Sequence, residues 1–203
     1  MPKAKAYHRG GLREDLVRLG AEMLEREGLD GLSVRKLAAE AGVSHNAPYM
    51  HFDDREALIA AIAAHGFAEQ RRAIAAAVAG SRAKDWATRF RTGCRAYVRF
   101  ATGRPVLYAA MHRGFDPDRN PEAFQASVGA LGQLKDALDE GQRLGEIRTG
   151  DLHELAIGVW TALHGLAGIL GRPDGGRFIS AKPAEAIVDD TLDMLLGGIA
   201  RRA

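Results

Sequence analysis

Cysteine is nearly absent from this 203-residue chain. The single Cys94 excludes an intrachain disulfide framework and any multi-cysteine zinc or iron–sulfur site, and it suits a reducing compartment. Net charge is nearly absent too: 28 basic side chains face 26 acidic ones, +2 overall, so neither a broad positive coat nor a polybasic tail is present. Long apolar runs are also lacking. Leu155 to Gly171 carries no Asp, Glu, Lys or Arg, but Thr161, His164 and four glycines within it keep it below the roughly 20 apolar residues that a membrane-spanning helix needs. The start Met1-Pro2-Lys3-Ala4-Lys5 has no apolar run behind it, so a secretory signal is not expected and the predicted location is cytoplasmic, away from membranes.

Catalytic signatures are missing as well. None of the seven histidines has Asp or Glu three residues before it, which removes the Glu-x-x-His pairs of a di-iron bundle. Gly-x-Ser-x-Gly, His-Glu-x-x-His and the Gly-x-x-x-x-Gly-Lys phosphate loop do not occur, and Cys94 has no nucleophile context. An enzyme is therefore not expected, and no cofactor is implied. His153 and His164 share one helix face but stand about 16 Å of helical rise apart, too far for one metal ion.

What is present is helical periodicity. The hydrophobic share of 46% suffices for a core, and β-type alternation bounded by hairpin turns is not found, so the class is all-α with about nine helices. Leu12, Leu16, Leu19 and Met23 form one stripe of a first helix that stops at Gly28. Ser33 caps a short helix over 34–40, Gly42 turns the chain, and Ser44 is expected to cap a second short helix. An alanine-rich helix runs from Asp53-Asp54 to about Val78. The helical pattern continues through Trp86, Phe90, Tyr97 and Phe100, breaks at Gly103-Arg104-Pro105 and gives a short helix to Arg113; further helices are predicted from Pro121, at a first helical turn, to about Leu144, over 151–171 and over 182–199.

The segment Ser33 to Leu58 carries the function. Small Ala38 four residues before Gly42 permits two helices to cross closely, with Leu37 and Val43 sealing the crossing. The second helix then presents His45, Asn46, Ala47 and Tyr49 near its N-terminus, the end that a helix-turn-helix inserts into the major groove. Asn46 can pair bidentately with adenine and His45 can meet a base edge, while Tyr49, His51 and Arg55 suit phosphates. Tyr49 could instead pack as core. Lys5 and Arg9, with Lys3 and Arg13, precede the first acid and form either a phosphate-contacting arm or a solvated one.

Ser33, Ala38, Gly42-Val43-Ser44, Tyr49, His51-Phe52, Arg55 and Leu58 together resemble the TetR family of transcriptional regulators. The resemblance implies that Ser33, Tyr49, His51 and Arg55 contact phosphates and that His45 and Asn46 face bases. Arg35, Ser44 and Ala47 belong to the same expected DNA-facing set. Pro48 departs from the leucine common in the family and removes one backbone donor from the recognition helix. Tyr7 to Leu12, Ala47-Pro48-Tyr49 and Trp160-x-x-x-His164-Gly165 resemble the subgroup named for a Trp-His-Gly motif.

The expected organisation is a DNA-binding domain over residues 1–52 and a helical regulatory domain over 53–203. Trp86, Phe90, Tyr97, Tyr108, Met111, His112, Trp160 and His164 are candidates for a small-molecule effector site, with ordinary core packing the competing assignment. The resemblance implies that an effector shifts two DNA-reading heads apart and lowers affinity for a palindromic double-stranded operator. Leu155, Val159, Leu163 and Leu166, with Ile187, Thr191, Leu195 and Ile199, are expected to form a four-helix interface between two copies, an intrachain core being the alternative. The competing functions are a helical protein-interaction module without DNA binding and, behind it, a helical-bundle enzyme.

Overall fold

The computed structural model describes residues 11–178 and 180–200. Eight α-helices and a 3₁₀ turn are present among them: α1 (Leu12–Gly31), α2 (Val34–Ala41), the turn Pro48–Met50, α3 (Arg55–Ala79), α4 (Trp86–Gly103), α5 (Pro105–Met111), α6 (Pro121–Arg143), α7 (Leu152–Leu170) and α8 (Ala184–Ile199). No named strand occurs among the described residues; an isolated antiparallel bridge pairs Ile147 with Ala200. The chain divides into two compact units, Met1–Phe67 with Val106–Ser127, and Ala68–Pro105 with Val128–Ala203.

Local chemistry sets the helix ends. Ser33 accepts from the Lys36 amide at 3.5 Å, Asp54 from Ala57 at 2.7 Å, Asp85 from Thr88 at 2.8 Å, and Asp151 from His153 and Glu154 at 2.7 and 3.0 Å. These amides hold the Asp85 and Asp151 carboxyls below the usual carboxylate range. Helix α1 breaks at Gly28, whose φ of 75° and ψ of 176° are accessible to glycine alone, and the short turn Leu29–Gly31 follows.

In the first unit, Leu16, Val17, Ala21, Met23 and Leu24 of α1 are buried together with Leu37 and Ala38 of α2 and Leu58, Ile59 and Ile62 of α3. Arg26 bonds both oxygens of Glu40 at 2.8 and 3.0 Å and Lys36 meets Glu27 at 2.8 Å, tying α2 to α1 across their exposed edge. Segment 106–127 belongs to the same unit. Glu25 accepts from the Leu107 amide at 2.7 Å, Arg113 lies 3.4 Å from Glu56, and Ala60 and Ala64 pack on Ala123.

The second unit has one continuous core: Trp86, Phe90, Cys94 and Val98 of α4, Leu138 of α6, Leu155, Val159, Leu163, Leu166 and Leu170 of α7, and Val188 and Leu192 of α8. Arg95 to Asp189 at 2.7 Å and Arg91 to Asp193 at 2.6 Å bind α4 to α8, and Arg95 keeps the Asp189 carboxyl below its ordinary range.

Candidate nucleic-acid interface

Gly42 makes the helix-turn-helix corner. Its φ of 70° and ψ of 27° are left-handed, its amide bonds back to Ala38 and Ala39, and Val43 donates to Ala38 at 3.0 Å, which closes α2 with a Schellman-type cap. Leu37 and Ala38 are buried beneath it, as their spacing predicts, and Val43 is half-buried.

Beyond Ser44 the backbone departs from expectation. The predicted second short α-helix is a run of tight turns ending in the 3₁₀ segment Pro48–Met50. Ala47 donates to Ser44, Tyr49 to Asn46, Met50 to Ala47 and His51 to Pro48, all three residues back, at 3.0–3.2 Å. Proline explains this. An α-helix starting at Ser44 would bond the residue-48 amide to the Ser44 carbonyl; Pro48 has no N–H, and that carbonyl takes Ala47 instead. The N-cap of the 3₁₀ turn is Ala47, not Ser44, with no side-chain cap bond.

The turn has two sides. Pro48 and Phe52 are buried, whereas Ser44, His45, Asn46 and His51 are exposed, Tyr49 is 48% exposed and Met50 is 83% exposed. Tyr49 is thus not core. Its ring lies edge-on to His45 at 5.9 Å, and His51 meets Phe52 edge-on at 6.3 Å. Arg13 reaches over Phe52 at 5.7 Å and pairs with Glu122, so it is spent within the unit. Arg35 is exposed on α2, Ala47 and Ser33 are half-buried, and Lys5 and Arg9 lie outside the described residues.

Arg55 occupies another place than its expected role suggests. Its Nε donates to the Leu32 carbonyl at 3.0 Å and a terminal nitrogen donates to the Leu29 carbonyl, both at the frayed end of α1, and the remaining nitrogen lies 3.7 Å from Glu56. The guanidinium ties carbonyls at the end of α1 to the start of α3, sharing the Leu29 carbonyl with the Leu32 amide, which donates to it at 3.3 Å. What remains of it for a phosphate faces an acid.

Met50 is the exposed residue of this turn that periodicity missed. As the variable position of a Tyr-x-His-Phe run it looks like buried apolar filling, and only the outward geometry shows otherwise. An apolar side chain here is chemically suited to a thymine methyl.

The effector candidates separate between the two units. Tyr108, Met111 and His112 lie in the first, where the His112 ring is 4.4 Å from Tyr108 and 5.4 Å from Phe67, and Met111 is fully buried. Trp86, Phe90, Tyr97, Trp160 and His164 lie in the second. Trp86 stacks on Phe90 at 4.8 Å and donates Nε1 to the Ala137 carbonyl at 2.7 Å, so these two are core with their polar atom satisfied. Trp160 and His164 stack at 4.9 Å on α7, and partial burial pushes the imidazole below its ordinary value.

The expected dimer residues of α7 are corrected. Leu155, Val159, Leu163 and Leu166 are 2–7% exposed and sit in the core of their own unit, because the apolar face of α7 is used against α4 and α8. Ile187, Leu195 and Ile199 are half-buried against the same core, and half-buried Thr191 donates to the Ile187 carbonyl at 2.8 Å. The outward face of α7 carries Ile157, Gly158, Thr161, Gly165 and Gly168.

An exposed, polar-edged turn held by a buried helix pair is a DNA-reading helix-turn-helix, joined here to a helical bundle. Comparison with known proteins agrees. Residues 16–62 match the family described as bacterial regulatory proteins, tetR family, and residues 90–195 match the tetracyclin repressor-like C-terminal domain. An uncharacterised HTH-type transcriptional regulator from Mycobacterium tuberculosis is 28% identical over 196 residues, 94% of this chain and 82% of the relative. A solved structure of a protein of unknown function from Rhodococcus sp. RHA1 superposes with a TM-score of 0.81 at 32% identity, covering 97% of this chain and all of that one. At 16% identity, the regulator FadR from Bacillus subtilis, solved in complex with stearoyl-CoA, shares the fold with a TM-score of 0.72 over 92% of this chain and 98% of its own. The chain belongs to the TetR family: it is a helix-turn-helix transcriptional regulator, not an enzyme. No helix among the described residues is long and apolar enough to cross a membrane.

Proposed function

We propose that the chain acts as a homodimeric, effector-responsive repressor whose two heads read a palindromic operator in the cytoplasm. The outward set His45, Asn46, Tyr49, Met50 and His51 on a turn anchored by Pro48 and Phe52 carries the reading. In it Asn46 and His45 meet base edges, Met50 meets an apolar base edge, and Tyr49, His51 and Ser33 hold phosphates. Residues 1–52 supply the DNA contacts, with Lys5 and Arg9 added from the N-terminal arm. The remainder carries the effector and dimer functions.

The dimer face in this reading is the outer side of α7 and α8. Gly158, Thr161, Gly165 and Gly168 step by three, four and three residues, and a Cβ at any of these glycines would meet no atom within 4 Å. Ile157 of α7 is 39% exposed and Met194 of α8 is 70% exposed, apolar side chains left outside the core, and the small-residue strip lets a second pair of helices approach closely. A palindromic operator with half-sites one helical turn apart calls for two heads about 34–36 Å apart, which a symmetric dimer can supply. The tetracyclin repressor-like description of the C-terminal family and the stearoyl-CoA bound by the fold neighbour support a small-molecule input.

Footprinting on DNA flanking the chain's own gene tests the reading. A symmetric protected site is expected, Asn46→Ala should relax base preference there, and Thr161→Arg should yield a monomer in sedimentation with weakened protection. Protection without symmetry, or a monomeric wild type at micromolar concentration, would overturn it.

A further inference from the structure

Gln70 is the buried polar side chain of the second unit that its own fold leaves unsatisfied. It is 1% exposed, and its Nε2 has no hydrogen-bond partner among the described residues. A buried donor without a partner is costly, and one kept in a native fold calls for a reason: strain, a bound water or ion, or a ligand group that completes it.

Its position can be fixed from the packing of α3 on α4. A Cβ at Gly93 would stand 3.4 Å from Val78 and 3.6 Å from Ile74, and Arg104 pairs with Glu69. The two helices therefore run antiparallel in a register that sets residue 70 level with the α4 turn 97–101. Tyr97 follows Gly93 by four residues, one turn further along α4, and is half-buried against the core of the second unit. Gln70 thus lies between the close contact at Gly93 and the ion pair at Arg104, with Tyr97 on the neighbouring helix near its level.

We propose that Gln70, with Tyr97 beside it, is the polar anchor of the effector site, and that the effector is an apolar molecule presenting a neutral acceptor oxygen, a ketone, ester or lactone carbonyl. This rests on the effector-responsive reading above. The charge logic selects the class. An amide N–H satisfies a carbonyl, but it neutralises neither a carboxylate nor an ammonium, and burying either ion without a counter-charge is heavily penalised. The Arg104 guanidinium is already engaged by Glu69.

The test uses 2-decanone, decanoate and decylamine, which share one apolar body, with the full-length protein. Titration should show saturable binding of the ketone, with the acid and the amine at least about tenfold weaker, the weight of one neutral hydrogen bond or more. Gln70→Leu should erase that ranking and, lacking the unpaired donor, raise the thermal midpoint by roughly 2–4 °C. Gln70→Met, closer in shape, serves as the second variant and should behave alike. No saturable ketone binding by the wild type, or an unchanged ranking in both variants, overturns the proposal. Operator release reports separately: ketone binding that depends on Gln70 yet leaves the operator complex intact sinks the regulatory reading and spares the site. Release that is equal in wild type and variants does the reverse.

Discussion

Replacing Arg55 separates two jobs that a basic residue at the start of α3 could have. In the structure its guanidinium donates to the carbonyls of Leu29 and Leu32, at the end of α1 just past the Gly28 break. A hydrogen bond from a charged donor contributes about 1.5–3 kcal/mol when buried. The side chain is 39% exposed, so we discount each bond to about 1 kcal/mol and the pair to about 2 kcal/mol. For a chain of this length that lowers the melting temperature by roughly 4–8 °C. Arg55→Gln should show this loss in thermal unfolding followed by circular dichroism. In anisotropy titrations between about 50 and 200 mM salt, the slope of log affinity against log salt should stay at the wild-type value. A phosphate contact behaves oppositely: stability unchanged, and the slope smaller by about 0.9 per head, about 1.8 for two heads. That second pattern would refute the carbonyl clamp.

Three further outcomes follow from the packing. A Cβ at Gly141 would meet the Trp86 ring at 2.6 Å, so Gly141→Ala should cost about 1–2 kcal/mol net of the roughly 1 kcal/mol helix-propensity gain, and should alter tryptophan emission; Gly132→Ala on the same helix meets nothing and should stabilise in urea titrations. Cys94 is buried and its thiol is pushed up to about 12, so it should ignore a thiol-reactive dye in the native protein and react once unfolded. Burial lowers the His164 pKa, so the unfolded chain binds that proton more readily; stability should be fully present above pH 6.5 and decline as pH falls below it, and His164→Gln should flatten that decline in melting curves taken across pH.

The sequence made some helix ends legible because caps are local chemistry: Ser33 and Gly42 act within a few residues of themselves, as the chain order suggests, whereas the cap expected at Ser44 is not formed. The reading turn was legible in position and in the residues it turns outward, but not in backbone type, since Pro48 tips a balance between three- and four-residue bonding that propensity cannot weigh. Periodicity also marked the apolar stripe of α7 without saying against what it packs. Leu155, Val159, Leu163 and Leu166 repeat identically for a core or an interface, and only the position of α4 and α8 decides. Arg55 and Gln70 were opaque for a related reason. Their partners, or the lack of them, depend on groups far away in sequence or outside the chain.

The reading turn divides its residues into those that hold and those that face outward. Gly42 sets the backbone by its left-handed turn and Pro48 and Phe52 by their burial, and none of His45, Asn46, Tyr49, Met50 or His51 is buried in the core behind them. Recognition can therefore drift without endangering folding. A library randomised at those five positions, with the three anchors fixed, should stay folded and soluble while its members part ways over which DNA they choose, the arrangement by which duplicated regulators could acquire separate operators.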